Sequence, residues 1–167
     1  MRQDVSRCAK NLPFVRWASI LACATIAAGI LTTPAAAKIG GPVAGFAGSP
    51  LVHQLQLTLG GQQAVSGPGA RLLHRYVSDD GLITVDLVVR AGIIEQQMMY
   101  LPADARRAHQ VSFFLQDALG SIVGSQRGLL SFRAALTNRA VTGYRWGELA
   151  VRFTPMAGSV LQVVVWK

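Results

Sequence analysis

The strongest constraint in this sequence is a series of three β-rich segments, residues 70–77, 82–90 and 93–101, separated by only two short breaks. Asp80-Gly81 in the first break is a tight-hairpin signal, and Ala91-Gly92 fills the second. Segments joined this closely pair as antiparallel neighbours, because a parallel pair needs a crossover of about a dozen residues or more. With two-residue loops at both breaks, Arg75 stands opposite Asp86 and Asp86 opposite Gln97, and the next row holds His74, Leu87 and Gln96. Leu72, His74, Tyr76, Ile83, Val85, Leu87, Val89, Ile94, Met98 and Tyr100 then share the face expected to be core. Arg71, Arg75, Thr84, Asp86, Arg90, Glu95 and Gln97 share the face expected to be wet.

A helix is expected next. Pro102 suits a first helical turn, Asp104 adds negative charge there, and Ala108, Val111, Leu115, Ala118 and Leu119 make a stripe at helical spacing that stops at Gly120. Residues 120–128 read as a glycine-punctuated loop, and 129–137 as a short second helix. The alternation of Leu149, Val151 and Phe153, answered by Leu161, Val163 and Val165 across the turn at 155–159, predicts a closing hairpin. The order β-β-β-α-β-β is that of an α+β domain: one antiparallel sheet of about five strands, with one main helix packed on one face.

Ahead of that domain the chain changes character. Residues 38–69 are rich in Gly and Pro and are expected to be a flexible leader with one possible strand at 51–59, although Leu51, Leu55 and Leu59 also fit a helix face. Residues 1–37 have the three parts of a cleavable secretory signal. Arg2, Arg7, Lys10 and Arg16 make a positive start, 17–31 is an uncharged apolar run, and Ala35 and Ala37 supply the small side chains a signal peptidase requires. Cleavage after Ala37 is expected, with export to a bacterial periplasm or beyond and no transmembrane span left. An uncleaved anchor is the alternative; a lipid-modified Cys23 fits less well, since Arg16 interrupts the apolar run. Cys8 and Cys23 both fall before residue 38, so an exported domain would carry no disulfide, thiol nucleophile or cysteine-bound metal.

Catalytic signals are weak. His74 with Gln96, or His109 eight residues before Asp117, are the candidates for a small hydrolase or isomerase, and His53 stands alone. The histidines lack a partner four residues away and there is no HExxH, so neither metal nor other cofactor is expected. Gly124-Ser-Gln-Arg-Gly128 is not a nucleophile elbow, and Asp79-Asp80-Gly81 is turn chemistry.

Charge is the stronger signal. The chain has 16 Lys plus Arg against 8 Asp plus Glu, and Arg71, Arg75 and Arg90 fall together on the expected wet face. Such a face suits an anionic envelope polymer, lipid headgroups or another envelope protein. Nucleic acid is not expected as a partner, because the arginines are not interleaved with aromatic residues. Tyr144-Arg145-Trp146 is a second candidate binding surface. The expected function is an exported, non-catalytic binding or structural domain of the bacterial cell envelope.

Overall fold

The computed structural model describes residues 38–66 and 69–167; the expected signal segment, with Ala35 and Ala37, lies outside them. A single antiparallel sheet of seven strands runs in the order β1-β2-β3-β4-β7-β6-β5. Its strands are β1 (Leu57–Val65), β2 (Arg71–Ser78), β3 (Thr84–Arg90), β4 (Ile93–Pro102), β5 (Thr142–Trp146), β6 (Leu149–Met156) and β7 (Val160–Trp166). Three α-helices among the described residues, α1 (Pro50–Leu55), α2 (Ala108–Leu119) and α3 (Ile122–Asn138), accompany it. The α+β class with one antiparallel sheet is therefore present, with seven strands instead of about five.

The segment expected to be a flexible leader is part of the fold. Gly40 N–H donates to Ile94 O and Ile94 N–H to Gly41 O, which ties the chain to the start of β4. A 3-10 helix, Val43–Gly48, then seats a fully buried Phe46 against Tyr76, ring centroids 4.7 Å apart. Ser49 caps α1 by accepting from Val52 N–H, and Pro50 takes the first helical position, so residues 51–55 are helical and not strand. Gln56, at φ 50°, breaks the helix, and β1 begins one residue later.

The loop expected at 120–128 is also helix. Gly120, at φ 63°, ends α2, and Ser121 accepts from Gly124 N–H to start α3, which then runs unbroken to Asn138. Gly124 and Gly128 lie inside this helix because they sit at close approaches. A Cβ at Gly124 would stand 3.0 Å from Leu119 Cδ1 and 3.1 Å from the Trp146 ring, and one at Gly128 would collide with Leu115 Cδ1. The two helices and β5 need the missing side chains.

The helices cover one face of the sheet. Val85, Leu87, Met99, Leu101, Val151, Phe153, Leu161, Val163 and Val165 meet Phe114, Leu115 and Phe132 there. Each such side chain contributes about 1.5–3 kcal/mol by leaving water. The β2/β3 register is as expected, with Arg75 opposite Asp86 and His74 opposite Leu87. The β3/β4 register is not, because a bulge between Val88 and Val89 leaves Glu95 as an extra residue on β4. Gln97, Met99 and Leu101 thus face the helices, while Gln96, Met98 and Tyr100 take the opposite face expected for their neighbours.

Candidate functional site

The face of the sheet turned away from the helices carries the candidate site. Along β2 it presents Arg71, Leu73 and Arg75; along β3, Asp86, Val88 and Arg90; along β4, Glu95, Gln96, Met98 and Tyr100. Pairing continues it to Val164 and Trp166 on β7 and to Arg152 on β6. Asp86 is only 2% exposed and is gripped by Arg75, whose Nε and Nη2 donate at 2.8 and 2.7 Å. That hydrogen-bonded carboxylate, and then its charge, hold the Arg75 guanidinium above its ordinary pKa. Arg75 is therefore a structural cation.

The ends of the strands carry a different group. Glu95, placed by the bulge, accepts from Arg71 Nε at 2.8 Å and pairs also with Arg90, so two guanidiniums share one carboxylate. Gln96 lies opposite Trp166 on β7, and Arg152 stacks over the Trp166 ring at 5.4 Å from its centroid. A depression of about 500 Å³ includes Arg71, Arg90, Glu95, Gln96, Trp166 and Lys167 in its lining. Cations and an aromatic ring meet there on an uncovered surface.

The other candidates lie apart from it and from each other. His74 is on the helix-covered face, 9% exposed, with its Nδ1 3.3 Å from Gln62 Nε2. The bulge puts Gln97 and not Gln96 on His74's face, so the expected pairing of His74 with Gln96 does not form. His109 lies on the exposed side of α2, edge-on to Phe113, while Asp117 two turns later is buried. His53 is exposed on α1. Among the described residues no three His, Cys, Asp or Glu side chains are grouped as metal ligands would be, and no helix is long and apolar enough to cross a membrane.

Tyr144 and Trp146 do not form an exposed platform. They lie half-buried on the helix side of β5, where the Tyr144 hydroxyl donates to Gly124 O at 2.8 Å. Arg145 alone of the three points to the open face. The aromatic residues of the open face are Tyr100, whose hydroxyl accepts from Gln162 Nε2 at 3.0 Å, and Trp166, which the sequence marks only as the end of an alternating strand. Burial pushes the Tyr144 phenol up to about 12, against the opposing pull of Arg127, whose guanidinium lies 5.6 Å from the ring centroid.

The folded state thus holds this proton more tightly than the unfolded chain, whose tyrosines titrate near about 10. Its stabilising effect is complete below that pH and is lost as pH rises toward 12. Tyr144→Phe is expected to cost about 1 kcal/mol at neutral pH through the lost hydrogen bond. It is also expected to flatten the alkaline fall in stability, which denaturant unfolding across the alkaline range measures. An equally steep fall in the variant would assign that loss to other groups.

No family model, no curated protein and no solved structure matches this chain. The site's own geometry is what bears on its function.

Proposed function

We propose that this protein is an exported, non-catalytic binding domain of the bacterial cell envelope that holds an anionic polymer or lipid headgroup on the open face of its sheet. The observation that carries this reading is the cluster of Arg71 and Arg90 around a single Glu95, beside the Arg152–Trp166 stack, on an uncovered surface. Two cations on one carboxylate leave positive charge for a ligand, and the half-exposed ring supplies an apolar platform next to it. The dispersal of His74, Gln96 and His109 over the core, the open face and α2 favours binding over acid–base chemistry. Export rests on the three-part pattern of residues 1–37.

The test uses the species recovered from the envelope fraction, whose intact mass is expected to correspond to a chain beginning at Lys38. Retention on an immobilised polyanion and on vesicles with anionic headgroups is measured against salt for Arg90→Glu/Arg152→Glu. Each basic residue near an anionic surface contributes about 1 kcal/mol, so the double reversal is expected to weaken binding at least about tenfold and to lower the salt dependence. Arg133→Glu, exposed on α3, is expected to matter far less. Equal losses from both variants would mean that net charge and not this face sets retention. A full-length species in the membrane would replace the exported soluble form with an anchored one.

A further inference from the structure

The sheet has two edge strands, and they are guarded very differently. At one edge β5 is five residues long, carries Arg145 and is packed against α3 through Tyr144 and Trp146. At the other, β1 runs for nine residues, and residues 58–64 are all exposed. The sequence has no charged residue anywhere from Gln54 to Ala70, and no proline within β1. Charge, proline, shortness and bulges are the usual means by which an edge strand is kept from accepting another strand, and β1 has only the last, between Leu59 and Gly61. Charge, proline and shortness are missing here on a chain of net charge +8.

Beside this edge the helix layer stops short. Leu59 on β1 and Leu72 on β2 face the helix side yet remain 51% and 45% exposed. An added strand would cover Leu59 while taking up the outer backbone hydrogen bonds of β1.

We infer that β1 pairs antiparallel with β1 of a second copy of this chain, about a two-fold axis between Gly60 and Gly61, joining two seven-stranded sheets edge to edge. The register follows from the bulge. The β1/β2 pairing shifts between Leu59 and Gly61, so Leu57, Leu59, Gln62 and Ala64 point to the helix side while Thr58, Gln63 and Val65 point to the open side. Placing Gly60 opposite Gly61 of the other copy sets Leu59 opposite Gln62, Thr58 opposite Gln63 and Leu57 opposite Ala64. Every pair then lies on one face, and none brings like charges together. For two strongly basic molecules, a neutral edge is where close approach costs least. The pairing is independent of what the open face binds, and it would place two such faces side by side on one continuous surface.

Sedimentation of the recovered protein over a range of concentrations is expected to show a reversible dimer. Thr58→Lys/Gln63→Lys sets lysine against lysine at both symmetric pairs and is expected to raise the dissociation constant at least about tenfold. Thr58→Lys/Gln63→Glu sets opposite charges there and is expected to restore dimerisation. The two positions are roughly 17 Å apart along one strand, so this rescue can only act between copies. Amide exchange in the unmodified protein supplies a readout that needs no variant to fold: protection of residues 57–65 is expected to rise with concentration. A monomer at all concentrations without such protection, or a dimer indifferent to both charge patterns, would overturn the inference. Protection that appears only when another envelope protein is added would overturn it in favour of a foreign strand.

Discussion

Gly128→Val is expected to destabilise the fold by about 2–3 kcal/mol, the upper part of the range for forcing extra atoms into a packed site. Gly128 lies in the middle of α3, where glycine costs about 1 kcal/mol relative to alanine, so the chain carries a local penalty there. The reason is the closeness of three elements. A Cβ at this position would strike Leu115 Cδ1 of α2 and stand 2.8 Å from the Tyr144 hydroxyl of β5, which is itself fixed by its bond to Gly124 O. Relief would require α3 to lift from both neighbours, opening the contact of Phe132 with Phe153 beneath it. Gly128→Ala is expected to lose less, because improved helix propensity offsets part of the overlap. Gly48→Ala, where a Cβ would meet nothing within 4 Å, is expected to be close to neutral. Urea unfolding of the three variants checks the order, and an unchanged midpoint for Gly128→Val would mean that α3 does not sit this close.

The same glycines show where sequence pattern stops being informative. Read locally, Gly120, Gly124 and Gly128 are breakers, and only the first is one, adopting φ 63° at the end of α2. The other two are absences of side chain required by partners as far away as Tyr144 and Trp146, which no local periodicity reports. What short-range chemistry controls was legible: the antiparallel pairing of residues 71–102, Arg75 opposite Asp86, and the alternation of β6 and β7. The bulge at Glu95 was not. Its extra residue exchanges Gln97 for Gln96 on the core face and so removes the expected partner of His74. The Gly-rich chain before β2 escapes pattern for a related reason: Phe46 is a core residue that stands alone among glycines and prolines, and the spacing of Leu51, Leu55 and Leu59 fits helix and strand alike. Of the proposed binding surface, the sharing of one sheet face by Arg71 and Arg90 was legible from strand alternation. Trp166 and Arg152 were not, because their neighbourhood depends on β7 lying between β4 and β6.

Arg75→Met is expected to cost about 2–3 kcal/mol at neutral pH, less than the 3–5 kcal/mol typical of a fully buried pair because the Arg75 side chain is half exposed. The loss arises at Asp86, not at the arginine. Asp86 stands on the central part of the sheet between Arg75 and Met98 and is almost inaccessible, so removing the guanidinium leaves a carboxylate with neither its counter-charge nor its two donors. One consequence separates this account from a simple loss of surface packing. Arg75→Met/Asp86→Leu is expected to recover most of the stability, because an apolar pair of similar bulk between Leu73, Val77 and Met98 needs no counter-charge. Denaturant unfolding of the single and double variants tests it. A double variant as unstable as Arg75→Met would mean that the stem of Arg75, and not its charge, carries the interaction. The distinction bears on the open face itself: an arginine already committed to Asp86 contributes to the sheet, which leaves Arg71, Arg90 and Arg152 as the cations of the proposed binding surface.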